Sequence, residues 1–451
     1  MAGSAPARRP FGFWICLALV VGNMIGSGVY LLPASLAPFG WAGVAGWLVT
    51  IAGALCLAFV FGRLAAAFPK AGGPYAYGRE AFGPFAGFLV AWSYWVSLWI
   101  GNVAVATGVV APLGTIVPAI AAHSVWATLA ILWFLTAINC LGARLAGGVQ
   151  VALTFLKFLP LLAVVLLAGL VLGRDGAAVL PPLEPARLSF TGAAGIGTAA
   201  TLTLWSFLGL ESATIPAEKV EDPRRAIFRA TLIGTAATGL LYLFACSAVA
   251  LMLPVDQASR SGAPLADFVA RYWGAEAGTA LALVAAVTAF GALNGWILLQ
   301  GEMPWAMAKD GVLPRWLAVT SARGSPVRAY LTSSLLITGV LLINGADSST
   351  DLFKRLILLA TTASLVAYLV SALAALALGR RGRMTMGRPA AATAALAALY
   401  SAWAMWGAGR EANAWGLALL ASGVPVYLLM RRRGGPAPAP DGAARNLDKV
   451  S

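Results

Sequence analysis

Gly22-Asn23-Met24-Ile25-Gly26-Ser27-Gly28, followed by Pro33, is the stretch of this chain on which its fold turns. It lies inside an apolar run, 12–36, that is long enough to cross a bilayer, since roughly 20 apolar residues in helical form span a ~30 Å hydrocarbon core. Three glycines and an asparagine in seven residues make a poor continuous helix, because each interior glycine costs about 1 kcal/mol relative to alanine. A weaker counterpart follows later, Trp205-Ser206-Phe207-Leu208-Gly209-Leu210-Glu211-Ser212, ahead of Pro216. Gly26 precedes Pro33 by seven residues, and Gly209 precedes Pro216 by seven. Both runs are read as helices interrupted at mid-membrane. For either taken alone, close helix packing through small residues is the competing explanation.

The rest of the chain fits a membrane setting. Of its 451 residues, 60% are hydrophobic and 11% charged, against about 25% charged in water-soluble proteins, so lipid is the solvent for most of the surface. Apolar segments fall at 12–36, 41–63, 85–110, 124–142, 146–171, 195–216, 226–253, 276–301, 328–345, 356–378, 389–407 and 413–430, numbered here as spans 1 to 12. The expected fold is therefore all-α and polytopic. Arg8 and Arg9 before span 1 suggest a secretory signal, but no Ala-x-Ala exit follows and further spans come at once, so the segment is read as a retained span.

Charge orients the spans. With both termini inside, cytoplasmic segments hold 23 Lys and Arg and external loops hold seven, with Lys157 in span 5. Acidic residues divide evenly, eight and eight, with Glu211 in span 6. An excess of this size predicts cytoplasmic termini in a cell inner membrane. The basic residues form short clusters beside spans, such as Arg431 to Arg433, which excludes a nucleic-acid face and favours anionic headgroups as partners. Cys16, Cys56, Cys140 and Cys246 all lie in apolar stretches and read as small packing residues. His123 is the chain's one histidine, which argues against a histidine-based metal site or triad. No cofactor is expected.

Spans 1 and 6 are five apart, so their interrupted units enter the membrane in opposite directions. That is the footprint of an inverted repeat. Residues 1–10 form a cytoplasmic N-terminus, 11–193 the first repeat (spans 1–5), 194–379 the second (spans 6–10), 380–433 two extra spans, and 434–451 a disordered cytoplasmic tail rich in Pro, Ala and Gly. An unwound helix at mid-membrane has peptide groups that lipid cannot satisfy, and a bound solute can. The N–H groups around Ser27 and Gly28 open a half-helix whose positive dipole end suits a carboxylate. Charged residues in spans are costly enough to point to function, which singles out Glu211 and Lys157. Glu211 is a candidate proton-responsive group, with a hydrogen-bonded structural acid as the alternative. For Lys157 the alternative is a snorkelling side chain.

These residues resemble the amino acid–polyamine–organocation transporter superfamily. The likeness runs from about Phe11 to Arg431 and is greatest to the basic amino acid/polyamine antiporters, the bacterial arginine/agmatine exchangers in particular. Gly22 to Gly28, Pro69-Lys70-Ala71-Gly72-Gly73-Pro74-Tyr75-Ala76-Tyr77, Tyr94-Trp95, Trp99-Ile100-Gly101-Asn102 and Leu204 to Glu211 carry it. The resemblance implies a substrate site built from Asn23, Met24, Gly26, Ser27, Gly28, Asn102, Trp205, Ser206, Leu208, Trp296, Ala360 and Thr361. Backbone near Ser27 and Gly28 would take the α-carboxylate. Carbonyls near Met24, Trp205 and Leu208 would take the α-ammonium. Trp205 would close over the substrate, Trp296 would stack on its side chain, and Asn102 would sense the distal group. Tyr94, Glu211, Lys157 and Tyr368 would serve gating or proton linkage. A tryptophan face attracts a cationic side chain by roughly 0.5–2 kcal/mol, although most tryptophans in such proteins mark the membrane interface.

Some positions depart from the arginine/agmatine pattern. Leu98, Val105 and Ala360 stand where those exchangers carry cysteine, methionine and serine, with Thr361 able to supply the lost hydroxyl. Lys157 matches other branches, in which a span 5 lysine occupies the place of a sodium ion. The expected function is thus a sodium-independent antiporter, exchanging a basic amino acid such as arginine for a related amino acid or its decarboxylated amine. Spans 1, 2, 6 and 7 would rock against 3, 4, 8 and 9. A proton-coupled permease for neutral amino acids and a non-transporting amino-acid receptor are the alternatives, and an enzyme is not expected. Lipid, the small-molecule substrate and a second copy of the chain are the expected partners.

Overall fold

The computed structural model describes residues 12–70, 72–141, 156–183, 188–189, 195–215, 217, 220–344 and 349–432, and among them the secondary structure is helical. Nine helical stretches of the described residues are long and apolar enough to cross a membrane: Phe13–Phe39, Trp41–Ala67, Pro84–Ile116, Ser124–Leu141, Phe158–Val179, Pro223–Met252, Ala275–Lys309, Phe353–Arg380 and Arg410–Arg432. The other three expected spans are also helical but fail that test for separate reasons. Span 6 is α-helical only over Ile196–Leu204 before it unwinds. In span 9, Val327–Asn344, the apolar helix is shorter. Span 11, Arg388–Gly407, is alanine-rich and only weakly apolar. The chain is a multi-pass membrane protein.

Burial sorts the spans into centre and rim. Span 3 is 89% buried over its most apolar window, while the corresponding figures are 28% for span 5 and 11% for span 12. Span 3 packs against spans 8 and 10, and span 2 against span 7. Around this centre the outward side chains are large and apolar, among them Leu166, Leu170, Leu335 and Leu399. A soluble protein buries such surface; in lipid it costs nothing to leave it outward. Short helices in the loops, Pro118–Ala122, Val255–Arg260 and Pro264–Trp273, had no counterpart among the expected spans. They are too short for a hydrophobic period to reveal.

The expected boundaries meet the edge of the described residues in two functional places. Span 5 begins its described helix at Phe158, with Lys157 immediately before it; residues 142–155, which include most of the expected first half of that span, lie outside the described residues. Pro216, the partner of Gly209 in the sequence comparison, also lies outside them, as do the N-terminal segment 1–11 and the tail from Arg433.

Candidate functional site

Span 1 is two helices. The first, Phe13–Met24, ends where Ile25 turns extended, although the Ile25 N–H still donates to Val21 O. Gly26 is extended as well, and a second helix begins at Ser27 and runs to Leu36. The last carbonyls of the first half have no partners within their own helix. One of them, Gly22 O, accepts a hydrogen bond from Lys157 Nζ at 2.5 Å. Lys157 is 0% exposed, so its amino group is anchored on backbone and does not snorkel.

Span 6 unwinds over a longer stretch. After Leu204 come a 3-10 turn at Trp205–Phe207, an extended Leu208, and a second 3-10 turn at Ser212–Thr214. Gly209 sits at φ +106°, a conformation closed to most L-residues. A Cβ there would also stand 3.0 Å from Asn23 Cβ and 3.2 Å from Met24 N, so this glycine lets the two interrupted segments touch. Asn23 Nδ2 donates to Ser212 Oγ across the same contact at 2.8 Å. Glu211, fully buried, accepts from Tyr94 OH at 2.7 Å, Tyr368 OH at 2.6 Å and Gly209 N–H at 3.2 Å. Donors from spans 3 and 10 thus converge with a freed peptide N–H on one carboxyl.

Between the breaks is a cavity of ≈ 30 Å³, room for about two waters and too little for an amino acid. Its wall consists of Asn23, Met24, Gly26, Gly28, Tyr94, Ser97, Leu98, Gly101, Asn102, Val105, Trp205, Ser206, Leu208, Glu211, Trp296 and Ser364. The indole of Trp205 occupies much of the space. A Cβ on Gly28 would lie 2.7 Å from Trp205 Cδ1, and one on Gly101 would lie 2.9 Å from Cη2. The ring therefore bridges spans 1 and 3 in a slot that two missing methyl groups create. Ser206 Oγ is buried in the wall without a hydrogen-bond partner among the described residues, an unmet group that a ligand can satisfy.

Nine of the residues expected to bind substrate are in this wall: Asn23, Met24, Gly26, Gly28, Asn102, Trp205, Ser206, Leu208 and Trp296. Ser27 starts the second half of span 1. Ala360 and Thr361 stand outside the wall; the Ala360 carbonyl accepts from Ser97 Oγ at 2.9 Å, and Thr361 Oγ1 is buried without a partner among the described residues. Of the expected gating or proton-linked residues, Tyr94 and Glu211 line the cavity, Tyr368 reaches it through Glu211, and Lys157 sits behind the span 1 break. Sequence reasoning missed Ser97, Gly101, Ser364 and Gln300. Gly101 was within a quoted motif, and its spacing from Asn102 was the available signal. Gln300 gave none: it accepts from Asn102 Nδ2 across 198 positions of chain.

Known proteins share this pattern along most of the chain. A family model described as amino acid permease matches residues 11–428. The cadaverine/lysine antiporter of Escherichia coli (strain K12) is 31% identical over 375 residues, covering 81% of this chain and 83% of that protein. The putative arginine/ornithine antiporter of Bacillus subtilis (strain 168) is 32% identical over 395 residues, with the same coverage of 81% and 83%. The putrescine transporter PotE of Escherichia coli (strain K12) is 28% identical over 356 residues, covering 78% and 80%.

Proposed function

The chain belongs to the amino acid permease family, and from that premise we propose that it is an antiporter exchanging an amino acid for an amine by alternating access. Its relatives are transporters and not enzymes. The observation that carries the reading is the meeting of two interrupted helices around one small cavity, with the unmet Ser206 hydroxyl in its wall. The N–H groups that open the second half of span 1 suit the α-carboxylate, and the unwound carbonyls of Trp205 to Leu208 suit the α-ammonium. Trp205, which fills the space a substrate needs, is the lid that moves aside and returns.

A basic amino acid is the amino-acid partner in this proposal, arginine or lysine, against its decarboxylated amine. The named activities of the relatives, on cadaverine and lysine, arginine and ornithine, and putrescine, support that choice. Exchange is independent of sodium in this proposal, which the Lys157 amino group already donating to Gly22 O supports. The protein sits in the cell inner membrane with both termini cytoplasmic, as the distribution of Lys and Arg supports. The outward Leu417, Leu428 and Leu429 of span 12 support lipid or a second copy as its cover.

Counterflow in liposomes tests the reading. Vesicles loaded with lysine should take up labelled arginine, agmatine, lysine or cadaverine, with no requirement for sodium. Saturable binding without flux identifies a receptor instead. Uptake of neutral amino acids that needs a proton gradient identifies a permease.

A further inference from the structure

We propose that Gln300, which stands outside the cavity, is a positioning residue that sets the tail selectivity of the site by holding the Asn102 amide with its oxygen toward the substrate. The inference rests on the exchange reading above. Asn102 is in the cavity wall, and its Nδ2 donates to Gln300 Oε1 at 2.5 Å. Gln300 is 0% exposed, and its Nε2 donates to Ser334 Oγ at 3.1 Å. Ser334 Oγ lies 2.8 Å from Thr136 Oγ1, and Thr136 Oγ1 donates to Leu132 O at 2.8 Å. The chain thus crosses spans 3, 8, 9 and 4 and ends on a main-chain carbonyl.

That ending fixes the direction of every bond. A carbonyl only accepts, and a hydroxyl has a single hydrogen to give. The Thr136 hydrogen goes to Leu132 O, so Thr136 accepts from Ser334. The Ser334 hydrogen goes to Thr136, so Ser334 accepts from the Gln300 amide nitrogen. Gln300 Oε1 is then left to accept, and what faces it is the Asn102 NH₂ group. An amide is otherwise ambiguous between its two orientations; here the reverse arrangement forfeits the Thr136–Leu132 bond. The Gln300 main chain is pinned separately, its carbonyl accepting from Ser333 Oγ at 2.8 Å, which in turn accepts from Trp95 Nε1 at 2.9 Å.

With its nitrogen committed, Asn102 offers the cavity an oxygen. An oxygen without a proton accepts from an ammonium or guanidinium, repels a carboxylate, and goes unmet beside an alkyl tail. Leu98 and Val105 are in the same wall and suit a methylene stem. The arrangement selects substrates whose apolar stem ends in a primary amine or guanidinium.

Exchange by the full-length protein in liposomes tests this, with lysine compared against norleucine, which has the same stem and no terminal amine. Gln300→Leu releases the Asn102 amide, and the lysine/norleucine ratio of kcat/KM should drop at least about tenfold, as expected when a hydrogen bond to a charged group is lost. The drop should appear chiefly in the lysine KM. Gln300→Glu retains an acceptor for Asn102 Nδ2 and should keep or raise the ratio, a rescue that a packing role does not explain. Should Gln300→Leu not fold, Ser334→Ala, which removes the acceptor of Gln300 Nε2, decides: its ratio should fall in the same direction by a smaller factor. Equal losses for both substrates, with the ratio unchanged, overturn the inference. A wild-type protein without preference for lysine sinks the exchange reading and this inference together; a preference that survives Gln300→Leu sinks the inference alone.

Discussion

The two interrupted spans solve one problem in opposite ways. The break in span 1 is abrupt, with helix on both sides of Ile25 and Gly26. The break in span 6 has no α-helical turn from Trp205 to Ile215. At the first, the exposed backbone group that finds a side chain is a carbonyl, Gly22 O, and a lysine supplies the donor. At the second it is an N–H, that of Gly209, and a glutamate supplies the acceptor. Whether the buried side chain donates or accepts follows the backbone group the break leaves open. Span 6 has fewer helical hydrogen bonds than span 1 and carries the bulky Trp205, so in the proposed exchange cycle span 1 is the docking point and span 6 the gate.

The largest effect should come from Lys157→Ala, which leaves Gly22 O buried and unmet. Unfolding stability should fall by about 1–3 kcal/mol, and exchange should fall in parallel; thermal unfolding and counterflow check both. Normal stability with normal exchange would mean that the span 1 break needs no donor, and the comparison would break. Trp205→Leu comes next. Turnover should fall by about tenfold, the equivalent of ~1.4 kcal/mol at the barrier, while equilibrium binding by calorimetry changes less. Equal losses in both would remove Trp205 from the gate.

Gly101→Ala should have a smaller effect. Its new methyl group lands 2.9 Å from Trp205 Cη2, and overpacking of this kind costs about 1–3 kcal/mol, part of which a shift of the ring relieves. Tryptophan fluorescence should report a displaced Trp205, and exchange should slow less than in Trp205→Leu. An unchanged spectrum and rate would show that the ring does not rest in that slot.

Glu80, in the helix Pro74–Phe82 between spans 2 and 3, provides the smallest effect and a control away from both breaks. Burial pushes its carboxyl up, but the hydrogen bond and charge of Lys70 and the charge of Arg383 outweigh it and hold the group below its ordinary 4.5. A lowered folded value means a stabilising contribution that is complete above about 4.5 and lost as pH falls through the lowered value. Ion pairs this exposed contribute about 1 kcal/mol or less. Glu80→Gln should therefore lower thermal stability slightly at neutral pH, with the difference from wild type vanishing on acidification. A difference that persists at pH 3 would contradict the assignment.

What was legible in the sequence was local. The glycines at 26 and 209 carry their helix penalty wherever they stand, so both breaks could be read without knowing a partner. Glu211 was conspicuous because its charge is out of place in an apolar run. Its acceptance from both Tyr94 and Tyr368 could not be read; the resemblance implied only that the three share gating or proton linkage. The role of Lys157 was half legible: its cost in lipid marked it as functional, but Gly22 O, its partner, is 135 positions away. Gln300 was invisible for the same reason, since a glutamine in a span has no pattern until Asn102 and Ser334 are placed beside it. The break in span 6 was legible at Gly209, but its length was not, because hydropathy counts apolar residues without asking whether their backbone is helical.

The central claim is that peptide groups freed at the two breaks hold the substrate's charged ends. A cryo-electron microscopy structure of the protein in lipid nanodiscs with lysine bound tests it most directly. The expected result is an α-carboxylate within about 3 Å of the N–H groups at Gly26 to Gly28, with the α-ammonium at the carbonyls of Trp205 to Leu208. Lysine bound elsewhere in the protein, or spans 1 and 6 running as unbroken helices through Gly26 and Gly209, would contradict it.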